Sequence, residues 1–170
     1  MERVTFRNVS TVREMACREF SRIEAIIKGI LPDSEIEHVG STALPHGITK
    51  GDLDIQVRIG APMFDTAKAA LAHEFVLDPD NVWGDSAASF KIEDAGIPTG
   101  VHLTEIGGPF DLQWRFRELL KARPELLWEY DDIKRRFEGG RMIDYRNAKA
   151  EFFGRIRHLI GARTDEPVAR

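Results

Sequence analysis

The chain has one cysteine, two tyrosines and no long apolar run. Cys17 has no second thiol for an internal disulfide, which fits a reducing compartment. No segment approaches the roughly 20 apolar residues of a membrane span. The first residues, Met1-Glu2-Arg3-Val4-Thr5-Phe6-Arg7, lack the apolar stretch of a secretory signal. A cytoplasmic protein with no membrane partner is expected. A basic excess is missing too. Lys and Arg number 24 against 28 Asp and Glu, a net charge of −4. That argues against a broad duplex-DNA surface, which needs many phosphate-neutralising cations. There is no Walker-type phosphate loop and no dinucleotide-binding glycine fingerprint. No Cys/His cluster suggests zinc, and no Gly-x-Ser-x-Gly elbow suggests a hydrolase triad.

What is there begins with His38-Val39-Gly40-Ser41-Thr42-Ala43-Leu44-Pro45, followed by Lys50-Gly51-Asp52-Leu53-Asp54-Ile55. This reads as a strand, a Gly-Ser turn, a connection and a second strand. Strand side chains alternate between faces. Asp52, Asp54, Gln56 and Arg58 therefore share one face, and Leu53, Ile55, Val57 and Ile59 share the core face. Two carboxylates close together repel each other, and Mg²⁺, which prefers oxygen ligands, relieves that repulsion. A Gly-Ser turn offers N–H groups and a hydroxyl to a phosphate. The plainer reading is an outer strand face that is polar because it is wet.

Around this motif, Thr11 and Glu14 suggest a capping box opening a helix over residues 11–30. Strands are expected at 35–39, 52–59, 87–93 and 101–106. Pro62 opens a helix carrying Met63, Ala67, Ala70, Leu71 and Phe75 on its core face. Residues 78–86, with Pro79, Asn81 and Gly84, read as a loop. Helices are expected at 110–122, 124–137 and 144–160, and residues 164–170 as a frayed tail. At 170 residues the whole reads as one α+β domain, 1–170, with a small mixed sheet and a C-terminal helical cap.

Gly40-Ser41, residues 42–51 and then Asp52-x-Asp54 resemble the signature of the nucleotidyltransferase superfamily. More narrowly, His38 to Pro45 with Lys50 resembles the GrpB family. So do Phe116-Arg117-Glu118-Leu119-Leu120, Pro124-Glu125-Leu126, Tyr130, Ile133-Lys134, and Tyr145 to Phe152. Against the family pattern, Asp54 stands at the first acid and Gln56 at the second acid or Gln. Asp52 adds an acid two residues earlier.

The resemblance implies a small mixed sheet flanked by helices, and a Mg²⁺-dependent transfer of a nucleoside monophosphate from a triphosphate, ATP first, to an unnamed acceptor. It equally admits a nucleotide-binding module without turnover. Asp52 and Asp54 are the implied metal ligands and catalytic acids. The superfamily adds a third carboxylate from a later strand. Glu105 is the carboxylate available there, and His102 is the alternative, acting on protons or phosphate. Strand parity forbids both from facing the metal. Gly40, Ser41, Lys50, Arg117, Lys134 and Lys149 are the candidate nucleotide-binding residues. The basic residues could equally form a solvated helix face. His38 reads as a structural histidine at the rim. Trp114 and Trp128 read as packing residues, and Trp83 is a candidate base stacker.

Overall fold

The computed structural model describes residues 2–82 and 85–161. Trp83 and the expected tail at 164–170 lie outside the described residues.

The first helix, α1 (Arg13–Ile30), buries Ala16, Ile23 and Ile27 along one stripe. It ends at Leu31, ahead of Pro32, as pre-proline sterics require. The expected capping box does not form. Thr11 Oγ1 donates instead to the Asn8 carbonyl at 2.7 Å. Asn8 caps a short 3₁₀ turn, Val9–Thr11, that precedes the helix.

Among the described residues seven strands follow one another: β1 (Arg7–Asn8), β2 (Glu35–Val39), β3 (Ile48–Thr49), β4 (Leu53–Ile59), β5 (Val76–Val82), β6 (Ala87–Ile92) and β7 (Thr99–Glu105). The helix α2 (Phe64–Glu74) lies between β4 and β5. Three more helices, α3 (Gln113–Ala122), α4 (Pro124–Arg136) and α5 (Met142–Ile156), follow β7. The main sheet has the order β2-β4-β7-β6-β5, and β1 pairs with β3 in a separate ribbon. Within the main sheet β4 and β7 run parallel, and the other pairs are antiparallel. The architecture is α+β, as expected. The expected loop at 78–86 is largely strand β5. It is an edge strand with an irregular register against β6, the setting in which a proline such as Pro79 is tolerated.

Two apolar clusters result. In the first, Leu53, Ile55, Val57 and Ile59 of β4 and Val101 and Leu103 of β7 pack under α1 and α2. Each fully buried Ile or Leu contributes about 1.5–3 kcal/mol. The second joins α3, α4 and α5 through Leu120, Leu127, Tyr130, Tyr145, Phe152 and Ile156. This is the cap. It covers part of the opposite face of β4, so that face is not simply wet. Gln56 is fully buried and Arg58 nearly so.

Candidate active site

The site starts where β2 ends. Val39 pairs with Asp54 across the sheet, which sets Gly40 beside that carboxylate. Gly40 has φ 74° and ψ −170°, a region essentially restricted to glycine. A Cβ there would collide with Asp54 Oδ2 and lie 3.1 Å from Asp54 Cγ. The Gly-Ser turn and the acid strand are therefore in direct contact. Ser41 opens a 3₁₀ turn, Ser41–Ala43. Thr42 Oγ1 ties that turn to the Asp52 carbonyl at 3.2 Å.

Asp54 meets His102 from the parallel neighbour β7. The register places Gly100 opposite Asp54 and His102 opposite Gln56. With no side chain at Gly100, His102 reaches diagonally to Asp54, Nε2 to Oδ1 at 3.3 Å. Ser89 of β6, in register with His102, meets its Nδ1 through Oγ at 2.8 Å. Ser89, His102 and Asp54 thus form a continuous hydrogen-bonded row. Burial pushes the Asp54 carboxyl up. The His102 hydrogen bond and the charges of His102, Lys149 and Lys50 outweigh that and hold it at about 2.

Asp52 lies just before β4, and Lys50 holds it at 2.8 Å. Asp52 is thus paired with a cation, and the Lys149 and Lys50 charges also act on Asp54, so the mutual repulsion of the acids is damped. Glu105 is a correction. It shares the parity of Val101 and Leu103, which face the α1–α2 core, and it pairs with Ile59 at the far end of β4. It is not brought to Asp54, and the position on the site face belongs to His102. Among the described residues no three His, Cys, Asp or Glu side chains converge on one metal position. Asp52 and Asp54 are the two carboxylates that this part of the sheet could offer an ion. That is enough for Mg²⁺ when substrate phosphates supply further ligands, the usual way this ion is held.

The cations separate into two groups. Lys149 and Arg117 line a cleft of about 430 Å³ between the sheet and the cap. Arg117 is anchored at its rim by Glu37 at 2.8 Å and the His38 carbonyl at 2.7 Å. Lys134 turns inward instead. It is 1% exposed and donates to the Ile48 carbonyl at 2.6 Å and to Asp131 at 3.0 Å. Burial lowers its ammonium to about 8, with Asp131 opposing. Its hydrogen bonds are directed at protein groups rather than at the cleft. His38 stacks on Phe20 with centroids 5.2 Å apart and meets Thr42 Oγ1 at 3.0 Å. Burial, then the Arg117 charge, lowers it to about 4, so it is neutral near pH 7.

The cleft is lined by polar residues, among them Gly40, Ser41, Asp54 and His102, and by apolar ones, among them Leu44, Leu112, Phe116 and Phe153. Tyr130 lines it as well. Burial raises its hydroxyl to about 12, and it meets the Tyr145 hydroxyl at 3.3 Å. Sequence reasoning did not single out Ser89 or Gln113, which also line the cleft. Ser89 was visible only as the one polar residue between Ala88 and Phe90.

Comparison with known proteins shows the family and the fold. A curated UPF0157 protein of Vibrio cholerae is 26% identical over 137 residues, covering 81% of this chain and 73% of its own. The crystal structure of a conserved GrpB protein from Enterococcus faecalis superposes with a TM-score of 0.68 at 17% identity, covering 86% of this chain and 93% of that one. The Cid1 poly(U) polymerase in its MgGTP-bound crystal form has the same core fold, with a TM-score of 0.54 at 14% identity. That match covers 72% of this chain and 40% of the polymerase. The GrpB protein model matches residues 9–158, and the chain belongs to the GrpB family.

Proposed function

We propose that this chain binds a nucleoside triphosphate with Mg²⁺ and transfers its nucleoside monophosphate to an acceptor hydroxyl. The observation that carries the reading is the contact of Gly40 with Asp54, which builds the turn and the acid into one site. A structural neighbour bound to MgGTP, at fold level only, supports it. Asp52 and Asp54 would hold the ion. Bound there with the triphosphate, Mg²⁺ supplies neutralisation of phosphate charge. Ser41 and the Lys149 ammonium meet the phosphates beside Asp54.

The acceptor oxygen bonds to the α-phosphorus. The bond from that phosphorus to the β-bridging oxygen breaks, and pyrophosphate leaves with the electron pair. The acceptor proton passes to Ser89 Oγ as the Ser89 proton moves to His102 Nδ1. Asp54, accepting from His102 Nε2, stabilises the imidazolium that forms. Titration calorimetry of Mg²⁺-ATP into the wild type and Asp54→Asn tests the reading. Binding lost in the variant is expected, and equal binding by both proteins sinks it.

A second reading, a nucleotide-binding module without turnover, is favoured by one observation. The site face of β7 presents His102 where a third carboxylate is expected. Incubation with α-phosphate-labelled nucleotide and a panel of acceptors separates the two, because only the enzyme releases pyrophosphate.

A further inference from the structure

The cleft contains one feature that phosphate chemistry does not use. Gln113, the first residue of α3, lines the cleft, and its side-chain carbonyl oxygen is buried without a hydrogen-bond partner among the described residues. A buried acceptor left unpaired is destabilising, and native structures rarely retain one without a reason. Residues 113, 116, 117 and 120 recur at helical spacing, and all four line the cleft. Gln113 therefore sits one turn before Phe116. Phe116 packs edge-on against Phe153 with ring centroids 4.8 Å apart. Arg117 on the same face is neutralised by Glu37 and Glu118. The face of α3 thus presents an orphan carbonyl oxygen, then an aromatic wall, with its one cation already paired. That pattern suits a flat, neutral ring bearing an N–H donor at its edge.

We propose that Gln113 reads the nucleobase of the bound nucleotide, accepting a hydrogen bond from an exocyclic amine that lies beside a ring-nitrogen acceptor, as in adenine and cytosine. A carboxamide offers the complementary pair, an oxygen that accepts and an N–H that donates. The proposal rests on the nucleotide reading of the site. It adds which wall of the cleft takes the base, the α3 face, and what sort of base it is.

The test compares three Mg²⁺-loaded probes by calorimetry: ATP, purine riboside triphosphate (which lacks the amine), and inorganic tripolyphosphate. The wild type is expected to bind ATP about tenfold more tightly than the purine analogue, the effect of one buried hydrogen bond. Gln113→Met, matched in length and without the amide, is expected to lose that preference and to bind tripolyphosphate as the wild type does. ATP and purine analogue bound equally by the wild type would overturn the proposal while leaving the phosphate site standing. Gln113→Met weakening tripolyphosphate as much as ATP would also overturn it, by showing a structural role. A wild type that binds none of the three removes both this proposal and the nucleotide reading. The wild-type comparison requires no substitution, so it decides the matter even if the variant fails to fold.

Discussion

Asp54 and Arg58 lie four residues apart on the same face of β4, and both are charged and sheltered by the cap. Around Arg58 the structure is complete. Asp111 accepts from Arg58 Nε at 2.6 Å and Nη2 at 2.9 Å, from the Gly107 N–H at 3.0 Å, from Trp114 Nε1 at 3.0 Å and from Gln56 Nε2 at 3.2 Å. The guanidinium also pairs with Glu35 and lies 4.7 Å from the Trp114 ring centroid. Around Asp54 the structure is open. Its carboxylate has one side-chain hydrogen-bond partner among the described residues, His102, and faces the cleft. Burial of charge does not by itself mark a functional site, because both ends bury charge. Hydrogen-bonding capacity left unfilled beside a cavity does distinguish them.

The comparison can be broken most forcefully at its closed end. Asp111→Ala strands the Arg58 guanidinium and is expected to destabilise the fold by about 3–5 kcal/mol. Urea denaturation measures this, and a loss below about 1 kcal/mol would show that the network is not structural. Gly40→Ala attacks the open end through its backbone. A side chain at this φ is strained and meets Asp54, so a loss of about 1–3 kcal/mol is expected. Thermal melts should show it together with the disappearance of any stabilisation by Mg²⁺-ATP. Asp54→Asn removes the charge and keeps the shape. Its expected metal-free loss is about 1–2 kcal/mol, the stabilisation that its lowered carboxyl represents, again with ligand stabilisation lost. A large metal-free drop with the ligand response intact would reverse the contrast between the two ends.

Acid titration sharpens the comparison in two windows. His38 is lowered to about 4 from an ordinary 6.5, so its unfolded form takes up a proton first. Its contribution is present above pH 6.5 and is lost as pH falls toward 4. His38→Gln should flatten stability in that range. Asp54, lowered to about 2 from 3.8, contributes above pH 3.8 and loses its contribution as pH falls toward 2. Asp54→Asn should flatten only this lower window. Overlapping effects of the two variants would show that the groups titrate together.

Much of this arrangement was legible in the chain. The alternation of β4 identified Leu53, Ile55, Val57 and Ile59 as core, and the first apolar cluster contains all four. Parity also separated His102 from Glu105, although it did not say which faces the site. That depended on the parallel register with β4, a long-range fact. The polar face of β4 read as wet because nothing local announces that α3 will cover Gln56 and Arg58. Strand β5 was hidden by Pro79 and Asn81, residues that mark loops in most settings and are tolerated at a sheet edge. Ser89 and Gln113 acquire meaning only from what folding places beside them.

The segment between β2 and β4 has a property that concerns time rather than energy. At one end Gly40 is pressed against Asp54. At the other, Gly47, with φ 111°, has Asp131 of α4 so close that a Cβ would meet its Oδ2 at 2.7 Å. The Ile48 amide donates to the same Asp131 at 3.3 Å, and the Gly47 carbonyl accepts from the Val9 amide at 2.9 Å. The Gly-Ser turn and helix α4 are thus joined through the short strap of residues 47–48. Isotope exchange at the Ile48 amide then requires Asp131 to let go. That one amide is a clock for the lifting of α4 from the turn, readable in the resting protein without any nucleotide.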